Sequence, residues 1–153
     1  MSVTTALPAD RTRFPLRRRL AARTAVGGAR LLARLAPHRL ERALTRIARG
    51  AVPATEAQAT EARELVLASS LPMNGQRACL PRSVAVALTC RLDGTWPTWC
   101  VGTLMSPPFS PHAWVEAEGR LIGEKGRHAN WARLISVSAP SPVTGSRAAS
   151  SSR

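Results

Sequence analysis

Cys79, His112 and Glu124 are the residues whose types could together open an acyl bond. A thiolate attacks a carbonyl carbon. A neutral imidazole takes the thiol proton and later returns it to the leaving amine. A carboxylate beside that imidazole fixes its tautomer and stabilises its cation. Each residue also has a plainer reading: Cys79 as a buried structural thiol, His112 as a surface loop histidine. Position along the chain weighs between them.

Cys79 stands at the entrance of an apolar stretch, Leu80 to Leu92, which reads as one buried helix ended at Asp93-Gly94. Pro81 falls in its first turn, where a missing N–H costs nothing. The positive end of a helix stabilises negative charge, so a thiol there has a lowered pKa and a larger fraction of thiolate, the reactive species. Thr98 to Thr103 is short, apolar and rich in β-formers, and reads as a strand. Ser106-Pro107-Pro108 is a loop. His112 follows Pro111 at the mouth of a further strand, where a ring can be held rigidly yet stay accessible.

His112–Glu116 and Arg120–Glu124 form an expected β-hairpin about Glu118-Gly119. Its register decides the third residue. A three-residue Ala117-Glu118-Gly119 loop sets Glu124 directly opposite His112, within about 5 Å at Cβ. A two-residue Glu118-Gly119 turn puts Glu124 on the other face. Both remain open from sequence.

The first half supplies helices. Residues 1–13 are polar and expected to be loose. From Phe14 to Ala36 the residues Leu16, Leu20, Leu31 and Leu35 make a stripe at helical spacing, with Thr24 and Gly27 filling it and arginines on the other face. Pro37 stops that helix, and Leu40, Leu44 and Ile47 mark a second one ended by Gly50 and Pro53. Thr55 with Gln58 resembles a capping box opening a third helix to about Ala68. The expected fold class is α+β: a basic helical part over 14–70, a core with a catalytic helix and antiparallel strands over 71–137, and a disordered tail over 138–153.

Composition limits the alternatives. A chain of 153 residues fits one domain. Its net charge of +13 is lopsided: residues 1–50 carry twelve arginines against Asp10 and Glu41. Lys125 is the sole lysine, a bias that genome composition explains as readily as a phosphate-binding surface does. The charge speaks to partners, not to fold. No run of apolar residues is long enough to span a bilayer, and no signal-peptide pattern follows the first arginines. An odd set of three cysteines therefore implies a reduced, cytoplasmic protein. Cys90 lies about 16 Å along the helix from Cys79, too far for a disulfide. Cys90 and Cys100 read as buried spacers. The spacing of Cys79, Cys90, Cys100 and His112 matches no zinc motif, and the chemistry calls for no cofactor.

The stretch RACLPRSVAVALTCRLDGTWPTWCVGTLMSPPFSPHAWVEAEGRLIGE resembles the leader peptidases of lasso-peptide biosynthesis, a branch of the transglutaminase-like, papain-related cysteine hydrolases. The likeness runs from Gln76 to Glu124 and extends to the arginine-rich helices between Pro15 and Arg49. It rests on the order of three elements: CLPRS, GTWPTWCVG, and PFSPHAWVEAEG followed by GE. The resemblance implies Cys79 as nucleophile, His112 as general base and then acid, and Glu124 as orienting carboxylate, where some relatives have Asp. The Cys79 backbone N–H is the natural oxyanion donor, with Gln76 as candidate for a second. Trp114 is a candidate substrate-binding side chain or an ordinary core tryptophan. The implied substrate is a ribosomally made precursor peptide, and the implied partners are a lasso cyclase and a separate leader-binding protein resembling the pyrroloquinoline-quinone chaperone fold. No such leader-binding module is evident in residues 1–70, which makes the helical half a candidate docking surface. Two other readings use the same residues differently: a transglutaminase-like acyltransferase, and a non-enzymatic basic protein that binds nucleic acid or membrane.

Overall fold

The computed structural model describes residues 14–124 and 128–140. The loose amino end expected over 1–13 and most of the tail expected over 138–153 lie outside the described residues. Helix α1 (Leu16–Leu32) leads into α2 (Pro37–Ala48), α3 (Glu56–Ser69) and, after two short 3-10 turns, α4 (Cys79–Leu92). The strands are β1 (Val52–Pro53), β2 (Thr95–Trp96), β3 (Thr98–Leu104), β4 (Pro111–Ala117), β5 (Arg120–Leu121) and β6 (Trp131–Val137). β1 and β2 pair in parallel, while the others form an antiparallel sheet in the order β5-β4-β3-β6. The fold is therefore α+β. Among the described residues no helix is long and apolar enough to cross a membrane.

Local chemistry sets most of these boundaries. Pro37 opens α2 at its first turn, where proline's fixed φ suits a helix start. Thr55 and Gln58 form both halves of a capping box on α3, satisfying two N–H groups that the helix cannot. Gly94 adopts φ +78°, a left-handed conformation that closes the turn between α4 and β2. One hydrophobic cluster runs from Val26, Leu40 and Leu44 through Val66 and Val84 to Trp99 and Val115, so helices and sheet share a core. Trp99 and Trp96 sit in it with their N–H groups satisfied, donating to Ser83 Oγ and to the Val137 carbonyl.

Two expectations change here. The leucine stripe of α1 faces outward: Leu16, Leu20 and Leu31 are 68%, 50% and 65% exposed. The buried face is the small one, Ala22, Ala25, Val26 and Ala29, because α1 packs on both α3 and α4. Small side chains allow that close approach, and Gly28 meets Leu88 of α4 there. The second change is β6, which no sequence pattern announced. It pairs with β3 through a register shift between Val101 and Gly102, and this irregularity disrupts the alternation a strand otherwise writes. β6 makes β3 a central strand and brings Trp131 and Arg133 to the face that carries His112.

Candidate active site

Cys79 is the first residue of α4, half-buried, with a free thiol. His112 lies near the start of β4, opposite Gly102 of β3. The two residues, far apart in sequence, are brought together by the packing of α4 against β4. His112 presents Nε2 to Glu124 Oε2 at 3.0 Å, which leaves Nδ1 for the sulfur. Both side chains are 18% exposed, so the pair is reachable but little screened.

The electrostatics form one coupled system. A hydrogen bond from His112 lowers the Cys79 pKa, against burial, and the Ala113 and Leu80 N–H groups lower it further. The hydrogen bond to Cys79, followed by that to Glu124, raises His112 to about 9. The coupling favours a thiolate beside an imidazolium. Stacking helps: the His112 ring lies 4.9 Å from Trp131 and 6.1 Å from Trp114, centroid to centroid. Two indole faces restrain the ring and favour its cation. Cys90 and Cys100 contrast sharply, because burial pushes both thiols up to about 12. Neither can serve as a nucleophile near neutral pH.

A pH dependence follows with a definite sign. Alkylation of Cys79 by iodoacetamide should persist below the ordinary thiol pKa of 9.0 and fade only as pH drops through its lowered value. Any step that needs imidazolium as acid should fade on the basic side near 9. His112→Ala should move the onset of alkylation up toward 9.0, measured as rate against pH.

Glu124 reaches His112, but not through the three-residue loop that would set it directly opposite. The turn is the two-residue form, with Glu116 paired to Leu121 and Ala117 to Arg120, and Glu118 and Gly119 both at positive φ. Continued as a regular strand, that register would put Glu124 on the face away from His112. The strand instead stops. After the Ile122 N–H has bonded the Val115 carbonyl, Gly123 adopts φ +68° and swings Glu124 back to the imidazole. Glycine is required there by conformation.

Several contributors had no sequence signal. Trp131 arrives on the unannounced β6. Buried Glu116 accepts from Trp114 Nε1 at 2.7 Å and pairs with Arg133 at 3.2 Å, locking the indole behind the histidine. Trp114 is only 2% exposed, so it backs the imidazole and offers no face to a substrate. Arg63 of α3 donates to the Gly123 carbonyl, and Arg82 of α4 donates to those of Met73 and Gly75, before Cys79. The backbone of Gln76 lies in the 3-10 turn Gln76–Ala78, and its side chain is outside the described ones.

The arrangement is a helix-borne thiol facing a histidine on an antiparallel sheet. Residues 16–136 match the transglutaminase-like superfamily. The chain belongs to that superfamily. The match begins with α1 and ends in β6, so the arginine-rich helices are part of the family domain. The superfamily comprises cysteine enzymes, proteases and transglutaminases among them. No curated protein and no solved structure matches the chain. Among the described residues no cluster of His, Cys, Asp and Glu could hold a metal ion.

Proposed function

We propose that this chain is a cytoplasmic cysteine peptidase that removes the leader segment from a ribosomally made lasso-peptide precursor. The observation that carries the reading is the Cys79–His112–Glu124 contact at a helix mouth, within a transglutaminase-like domain. The motifs CLPRS and PFSPHAWVEAEG supply the narrower resemblance.

Cys79 Sγ attacks the scissile carbonyl carbon, and the electron pair of the C=O bond moves to oxygen. That oxyanion takes a hydrogen bond from the Cys79 N–H, with Gln76 proposed as the second donor. Collapse breaks the C–N bond, and the His112 imidazolium protonates the departing amine, which is the first core residue. Neutral His112 then removes a proton from water. The hydroxide adds to the thioester carbon and the C–S bond breaks, releasing the leader carboxylate and returning Cys79 as a thiolate beside protonated His112. Glu124 orients the ring throughout and balances its charge.

The partners are a separate leader-binding protein resembling the pyrroloquinoline-quinone chaperone fold, and a cyclase that joins the freed amine to a side-chain carboxyl. The exposed leucines of α1, set among arginines, support a docking role for the helical half. A basic apolar face suits an acidic partner.

The superfamily also favours a second reading, acyl transfer, in which an amine replaces water at the thioester. Incubating precursor, leader-binding partner and enzyme, then weighing the products, separates the two. Leader removal predicts a carboxylate product heavier by one water. A product carrying an added amine would establish transfer instead, and an unaltered precursor would end both.

A further inference from the structure

We propose that Arg63 is a positioning residue of this site, holding the Gly123–Glu124 segment so that the carboxylate meets His112. The inference rests on the Cys–His–Glu reading and is independent of what the substrate is.

The hairpin by itself delivers Glu124 to the wrong face, so something must hold the chain in its reversed course after Leu121. The Gly123 α-carbon is bare, and a methyl group there would collide with Nε, Cζ and Cδ of Arg63. The arginine side chain therefore packs against the bend itself. Its Nη2 donates to the Gly123 carbonyl at 3.3 Å. The guanidinium also attracts the Glu124 carboxylate, one residue on. Arg63, Arg82, Ser83, Ala113, Trp114 and Glu124 line one narrow crevice behind the reacting groups.

The post that carries Arg63 is firm. α3 is capped by Thr55 and Gln58 and anchored by buried Ala59, Ala62 and Val66 on either side of the arginine. Beside it, Arg82 ties down the segment that leads to Cys79. Two neighbouring guanidiniums repel. Burial and Arg82 lower the Arg63 pKa, while Glu124 and Glu64 raise it. Placing a second arginine in this crevice is unfavourable unless a carboxylate compensates, and Glu124 is the nearer one to the chemistry. Cys79 of α4 faces His112 directly, Arg63 of α3 faces Glu124 with Arg82 and Glu64 around it in turn, and Glu116 of β4 and Arg133 of β6 lie behind Trp114.

The test follows the His112 ring rather than any peptide product. NMR titration of the imidazole should be run on the full chain for wild type, Arg63→Ala, Arg63→Lys, Glu124→Gln and the Arg63→Ala/Glu124→Gln double variant. Wild type should titrate near 9. Arg63→Ala should lower that by about one pH unit, because a wandering carboxylate no longer stabilises the cation. Glu124→Gln should do at least as much, and the double variant should add nothing to it. Arg63→Lys should recover part of the shift, since it keeps the charge but loses the fork. A folded Arg63→Ala with an unmoved His112 titration, or additive effects in the double variant, would overturn the proposal. Should Arg63→Ala fail to fold, Arg63→Gln, which removes the charge but keeps most of the side chain, decides by the same criterion. Failure of leader cleavage alongside the expected titration shifts would count against the substrate and leave the role of Arg63 standing.

Discussion

Cys79→Ala is expected to reduce leader removal by a factor on the order of 10³ or more while leaving the fold intact. In the proposed reaction the sulfur forms the thioester, and the other two thiols cannot replace it: burial has raised the pKa of Cys90 and Cys100 to about 12. Cys79 is half-buried at a helix end, so its loss empties no core cavity, and stability should change by less than about 1 kcal/mol. Product formation by mass spectrometry, paired with a thermal melt, checks both halves. Cleavage that survives in the folded variant would remove the enzymatic reading. A basic protein bound to nucleic acid would be indifferent to this substitution and would instead lose affinity steeply with salt.

Gly102→Val is expected to destabilise the protein by about 3 kcal/mol or more. Gly102 sits between β4 and β6 at the register shift, opposite His112. An added Cβ would strike the Ala132 carbonyl and come within 2.9 Å of the Trp114 ring. The first obstacle is backbone in a paired strand, which cannot swing aside as a flexible side chain does. The second is the indole that backs His112, itself fixed by Glu116 and Arg133. Relief of the clash must therefore either part β3 from β6 or move the histidine. Urea unfolding measures the first cost, and the Cys79 alkylation profile of any folded Gly102→Ala measures the second. A Gly102→Ala protein as stable as wild type would refute the close approach.

Both substitutions act through residues whose importance differs in legibility. Cys79 was readable because a cysteine opening an apolar helix, with Pro81 in its first turn, is a local pattern, and helix starts are local physics. The same holds for the ends of α2, α3 and α4, written by Pro37, by Thr55 with Gln58, and by Asp93-Gly94. Gly102 reads only as a weak point in a strand, because its neighbours Trp114 and Ala132 come from two other strands.

The chain by itself determined the four helices and the strands β3 and β4, which residues could do thiol chemistry, and that +10 of the charge sits in the first fifty residues. Those properties depend on neighbours within a few positions. Tertiary structure alone decided which face of α1 is buried, since periodicity marks both an alanine face and a leucine face and only the approach of α3 and α4 selects the small one. It also decided that β6 completes the sheet and that Glu124 returns to His112 through Gly123, because pairing partners and a strand's stopping point depend on contacts tens of residues away. Register is a two-valued choice that the hairpin's sequence left open; the turn took the two-residue form, and the bend at Gly123, packed against Arg63, then returned Glu124 to the histidine's face.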